Sequence, residues 1–198
     1  MGTVTVGVDI GQKRDPTAIA VAELEHRERA ETGRREDHWL VRHLERLPLG
    51  TPYPGVADRL AVVVEGVKKR TGHAPACYLD ATGVGQPVAD EMTSRGLAVT
   101  ACYFTHGDRR TVEGTRVTIG KAWLVSRLQA LLQGGRLHLP DTSEARVLAD
   151  ELLDYEIRVE EDANDRYGAF RVGKHDDLVT ALGLAVQTEP FTVLIGRV

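Results

Sequence analysis

The stretch that decides the fold is TVTVGVDIG, residues 3–11. Val4, Val6 and Val8 alternate with Thr5, Gly7 and Asp9, the period of two that sends successive side chains to opposite faces of a strand. A carboxylate at the end of such a strand, with Gly11 close behind, is costly to bury alone and needs a cation or a hydrogen-bonding partner. The partner of Asp9 is what the rest of the chain has to supply.

Outward from this strand comes QKRDPTAIAVAEL, in which Asp15-Pro16 signals a turn and residues 17–24 resume an apolar extended run. The two runs predict an antiparallel hairpin. Residues 25–37 are rich in charge, contain Gly33 and read as an exposed loop, whereas 38–47 (HWLVRHLERL) read as a third strand closed by Pro48, Gly50, Pro52 and Pro54. Over 56–70, Val56, Leu60, Val63, Val64 and Val67 fall at the spacing of an amphipathic helix, with Gly72 as its stop. A short strand, ACYLD (76–80), ends on a second carboxylate and runs into ATGVGQP; a helix at 88–95 and a strand at 97–104 follow. Hairpin at one side and strand–helix–strand crossovers at the other predict a mixed sheet with helices on its faces, the first strand central and the fourth beside it.

The second half is less regular. Residues 105–118 lack an apolar period and read as a loop, and 119–132 as an amphipathic helix carrying Trp123, Leu124, Leu128, Leu131 and Leu132, stopped by Gly134-Gly135. A short extended piece (136–139) and a helix at 143–153, capped by Thr142 or Ser143, come next. Residues 155–160 and 167–172 suggest a β-hairpin appended at 155–172. HDDLVTALGLAVQ (175–187) places Leu178, Ala181, Leu182 and Ala185 on one helical stripe, with Asp176-Asp177 at its N-terminus.

With 198 residues and a net charge of -4, the chain fits one compact domain, 1–198, able to bury a proper core. Interleaved charge excludes global disorder, and mild acidity disfavours nucleic-acid binding through bulk charge. Local basic groups remain: Lys13, Arg14, Arg109, Arg110, Arg116 and Lys121. Neither a basic-then-apolar leader nor an apolar run of roughly 18 residues occurs, so a cytosolic protein without a membrane partner is expected. Cys77 and Cys102 lie in apolar strands outside any metal-ligand spacing, and buried free thiols are expected.

Asp9, Asp80 and the Asp176-Asp177 pair thus lie at two strand ends and a helix start, where open α/β sheets form sites outside the strand ends. Carboxylates packed together hold raised pKa values or bind divalent cations. Oxygen donors without Cys or His select Mg²⁺ or Mn²⁺, and two such ions about 3.5–4 Å apart support phosphodiester cleavage. Each residue also has a plain reading: Asp9 as a turn cap, Asp80 as a partner of the ATGVG loop, Asp176 or Asp177 as a helix cap.

Val6–Gly11 (VGVDIG) with DPTAIA at 15–20, YLDATGVG at 78–85 and GKHDDLVTAL at 173–182 resemble the motifs of the nuclease domain of bacteriophage large terminase subunits, in the ribonuclease H-like superfamily. Motif order, spacing and strand pattern agree over nearly the whole chain. The resemblance implies an α/β, ribonuclease H-like mixed five-stranded sheet flanked by helices. It implies an endonuclease that cuts concatemeric viral DNA during genome packaging in the cytoplasm of a bacterial host. Asp9, Asp80 and Asp177 would be catalytic and hold two Mg²⁺ or Mn²⁺ ions, with Asp176 as a further ligand or support. Lys121 sits where such domains carry a lysine and is a candidate phosphate contact, as are Arg109, Arg110, Lys13 and Arg14; His175, Gly83 and Gly85 are candidate supporting residues. Double-stranded DNA is the implied substrate, and a packaging ATPase, a small terminase subunit and the portal are the implied partners. These residues contain no G-x-x-x-x-G-K-[ST] phosphate loop, so the chain is expected as an excised domain or a stand-alone relative. The alternatives are a Holliday-junction resolvase-like nuclease, a non-catalytic DNA-binding or assembly module and, from Asp9-Ile10-Gly11, a sugar-kinase or actin-like nucleotide binder.

Overall fold

In the computed structural model the described residues are 2–11, 15–83, 86–114, 116–154, 156–159, 165–168 and 176–187. Strand β1 (Thr3–Asp9) pairs antiparallel with β2 (Ala18–Glu28) on one side and parallel with β4 (Ala76–Asp80) on the other. Antiparallel β3 (Arg35–Arg46) flanks β2, and parallel β5 (Val99–Thr105) flanks β4. The five expected strands are therefore present with β1 in the middle and both pairing senses in one sheet. Helices α1 (Tyr53–Thr71) and α2 (Gln86–Ser94) make the crossovers.

Among the described residues the sheet contains eight strands rather than five. The stretch read as a loop at 105–118 holds β6 (Arg110–Glu113), and β7 (Arg116–Gly120) takes the first residues assigned to the following helix, so α3 spans Lys121–Gln133. Val117 and Ile119 of β7 are buried against β5, but two apolar positions are too short an alternation to stand out beside an amphipathic helix. On the opposite edge β8 (Leu137–His138) adds two residues parallel to β3. The order is β6-β7-β5-β4-β1-β2-β3-β8.

The charge-rich segment at 25–37 is the outer end of the β2–β3 ribbon, not a loop throughout. Opposite charges face each other there: His26 pairs with Asp37, Arg27 with Glu36 and Glu28 with Arg35 across the ladder, an arrangement that stabilises exposed strands. The turn is confined to 29–34, where Gly33 has φ 64°.

Helices cover both faces. Val6, Val8, Ile19, Val21 and Leu79 pack against Val56 and Leu60 of α1 and Met92 of α2. The other face, Ala18, Ala20, Ala22, Cys102 and Ile119, meets α3, α4 (Ser143–Asp154) and α5 (Asp177–Ala185). The appended pair is β9 (Glu156–Val159) with β10 (Asp165–Gly168); the remaining residues of the expected hairpin at 155–172 lie outside the described ones. Both cysteines are free and buried, which pushes the Cys77 thiol up to about 12 and the Cys102 thiol up to about 11. No helix among the described residues is long and apolar enough to cross a membrane.

Helix α5 was expected to show one apolar stripe, yet all nine of its residues are buried. It lies directly on β1. A Cβ on Gly7 would meet the Ala181 carbonyl oxygen at 2.0 Å and the Ala185 nitrogen at 2.5 Å. Thr5 Oγ1 donates to the Ala185 carbonyl at 2.6 Å, satisfying one of the carbonyls a helix end leaves over. Thr5, Gly7 and Asp9, on one face of β1, thus seat α5 from its C-terminal end to its N-terminal end. Gly7→Ala should cost about 1–3 kcal/mol through forced separation of helix and strand, measured by urea unfolding; a variant as stable as the parent would contradict this contact.

Candidate metal centre

Asp9 ends β1 and Asp80 ends β4, and the parallel register of those strands, Val8 opposite Leu79, sets the two carboxylates side by side. Helix α5 brings Asp176 and Asp177 to the same edge. The electrostatics record the convergence. Asp9 is held well above the ordinary carboxylate range, first by burial, then by the charges of Asp80, Asp176 and Asp177, with Lys121 opposing. Burial also raises Asp80 and Asp176 adds to it, while Thr82 and Lys121 pull it down. The Thr82 N–H donates to Asp80 Oδ1 at 2.8 Å, and Thr82 Oγ1 accepts the Phe104 N–H at 2.7 Å. Asp80 therefore serves its following loop, as its plain reading has it, and also lies in the acidic cluster.

The acidic pair divides. Asp177 is 2% exposed, and both its oxygens are held by Arg46: Nε donates to Oδ2 at 2.6 Å and Nη2 to Oδ1 at 3.3 Å. The same guanidinium pairs with Glu151 of α4. Glu151 Oε2 accepts the N–H groups of Leu178 and Val179, at 3.1 and 3.2 Å, the amides that an N-cap side chain ordinarily serves. Asp176 occupies the N-cap position of α5 and makes no side-chain capping bond; it is half-buried and acts on both Asp9 and Asp80. The expectation that Asp177 leads and Asp176 supports therefore meets a structure in which Asp177 is committed to an arginine.

Lys121 opens α3, half-buried, with Nζ 5.7 Å from the Phe104 ring centroid. Arg110 is drawn inward instead, its Nε donating to the buried Gln187 Oε1 at 2.9 Å. Arg109 is exposed beside Asp108, and Arg116 lies over the Tyr103 ring at 4.3 Å. Gly83 is exposed with open space around it. Lys13, Arg14, Gly85 and His175 lie outside the described residues. Sequence reading missed Arg46 and Glu151. Glu151 carried a signal, a charge three residues beyond Leu148 on the stripe that α4 buries; Arg46 carried none, being one of several charges on an amphipathic strand.

The donor chemistry fits a hard divalent cation: oxygen only, half-buried, and mutually repelling in a way a cation relieves. Among the described residues no three of the His, Cys, Asp and Glu side chains form a ready-made coordination sphere, so a cation here would draw the carboxylates together.

No family model matches the sequence, and no curated protein does. The structure is similar to the large terminase nuclease from thermophilic phage G20c, with a TM-score of 0.65 and 23% identity over 96% of this chain and 83% of that one. It is similar to the same nuclease with bound magnesium, TM-score 0.65 and 24% identity over 94% and 82% of the two chains. The human cytomegalovirus terminase nuclease domain, manganese-soaked, matches with a TM-score of 0.60 and 15% identity over 98% and 86%. These likenesses show that the chain has the ribonuclease H-like fold of terminase nucleases.

A carboxyl whose folded-state pKa is raised adds stability below its unfolded value, near 4, and that contribution is lost as pH rises through the folded value. Asp9 is such a group. In metal-free protein Asp9→Asn should therefore raise the melting temperature at about pH 7, and the gain should shrink towards zero near pH 4, followed by circular dichroism. A melting temperature lowered at neutral pH would refute the electrostatic account.

Proposed function

We propose that this chain, with the fold of a terminase nuclease, is a divalent-metal-dependent DNA endonuclease that cuts concatemeric viral DNA during genome packaging. The observation that carries the reading is the meeting of Asp9, Asp80 and Asp176 at the ends of two adjacent parallel strands and one buried helix. Those three would hold the metal, with Asp177 kept behind them on Arg46. Two Mg²⁺ or Mn²⁺ ions bound in such a site supply an activated water and neutralise charge on the leaving oxygen.

The remaining chemistry belongs to the chain. Asp9, half-buried at the end of β1, presents its carboxylate in a setting where burial strengthens electrostatic interactions. Thr82 fixes the orientation of Asp80. Lys121, close enough to lower both Asp9 and Asp80, would bind a non-bridging oxygen of the scissile phosphate. Arg109, with Lys13 and Arg14, would contact neighbouring phosphates, and contacts of that kind position the duplex without reading its sequence. Gly83 would line the approach, and Gly85 and His175 are further candidates for support. In this reading residues 1–198 form one nuclease domain working with a packaging ATPase, a small terminase subunit and the portal in a bacterial host.

Supercoiled plasmid incubated with Mn²⁺ should be nicked and linearised, and Asp80→Ala should reduce cleavage to background. Equal cleavage by that variant would remove the proposal. A marked preference for four-way junctions over linear duplex would transfer the same chemistry to a resolvase.

A further inference from the structure

Arg46 and Glu151 stand just outside the carboxylate cluster and are tied to each other. Across the ladder Asp9 lies opposite Ala18, and Ala18 opposite Arg46, so the backbone fixes Arg46 in the same row as Asp9. From there its guanidinium grips Asp177 at both oxygens and pairs with Glu151. Glu151, 6% exposed, takes the first-turn amides of α5. These three groups carry two negative charges and one positive, and a buried assembly of that kind holds elements together no better than apolar residues of similar size. Packing of α5 has no shortage of apolar contact, since every residue of the helix is buried. What the assembly supplies is direction. A helix opening on two aspartates would ordinarily spend the first on capping; here the amides are served from α4 and the second aspartate from β3.

We propose that Arg46 and Glu151 are positioning residues of the metal centre: by occupying Asp177 and the first-turn amides of α5 they leave the Asp176 carboxylate to the edge shared by Asp9 and Asp80. The proposal rests on the reading of that edge as a metal site. It assigns the two adjacent aspartates different tasks, Asp176 ligation and Asp177 anchorage.

Isothermal titration of Mn²⁺ into the full chain tests it, alongside melting temperature and the Mn²⁺ concentration giving half-maximal cleavage. Arg46→Lys keeps the charge and loses the fork; Glu151→Gln keeps an acceptor for the amides and loses the ion pair. Each should weaken Mn²⁺ binding by about 10- to 100-fold, as loss of the groups that orient metal ligands does, and excess Mn²⁺ should restore most of the cleavage rate. Asp176→Asn should weaken binding more than Asp177→Asn does. Folded variants that melt lower yet bind Mn²⁺ as the parent does would reduce Arg46 and Glu151 to structural residues. Tighter binding by Arg46→Lys would make the arginine a competitor of the metal and overturn the proposal. If the parent itself binds no Mn²⁺, the metal site falls and the positioning role with it, whereas a binding parent with unchanged variants sinks the positioning role alone.

Discussion

Helix α5 rests backbone to backbone on β1 at Gly7, with no room for a single methyl group between them. The contact fixes separation and direction together. Thr5 holds the C-terminal carbonyl of Ala185, so the helix runs back along the strand and its first residues arrive at Asp9. Small side chains on the next strand, Ala18, Ala20 and Ala22, extend the seat. The N-terminal end of a helix carries partial positive charge, and here that end meets the most acidic edge of the sheet. Leu124 closes the opposite side, filling the space a side chain on Gly183 would need. Helix α5 is thereby clamped between β1 and α3, and α3 begins with Lys121.

The charge balance at that edge is uneven. Asp9, Asp80, Glu151, Asp176 and Asp177 are answered among the described groups by Lys121 and Arg46. Arg46 serves the two acids farthest inside, 6% and 2% exposed, leaving Lys121 to three that repel one another. A fold that tolerates this arrangement gives up stability locally, as sites shaped for function commonly do. The apolar layers on both faces of the sheet, from Val6 and Leu60 to Ile119 and Leu182, are what make that tolerable.

The central strand, its hairpin partner and the crossover to β4 were legible because each is a run of apolar residues ended by a turn signal. So were Asp9 and Asp80, as carboxylates at the ends of such runs. The outer ribbon of β2 and β3 was not, because its pairing is between charges, and a sequence shows that Glu28 and Arg35 are charged without showing that they face one another. β7 was hidden by brevity and by the helix beside it. The different settings of Asp176 and Asp177 could not be read at all: they depend on Arg46, 131 positions from Asp177, and on Glu151 from a separate helix. Periodicity reveals which way a side chain faces, but not which of two neighbours will find a counter-ion.

The bond from Thr5 to Ala185 joins residues 180 positions apart. Closing so long a span costs chain entropy before any contact repays it, and folds dominated by such contacts form slowly. During synthesis β1 and β2 emerge well before α5, and the bare surface at Gly7 waits until the helix that covers it has been made. The acidic edge is likewise drawn from distant parts of the sequence, with Asp9 in β1 and Asp176 at the start of α5. A chain synthesised only as far as α4 therefore holds Asp9 and Asp80 without Asp176, and the cluster is completed only once α5 has docked on β1.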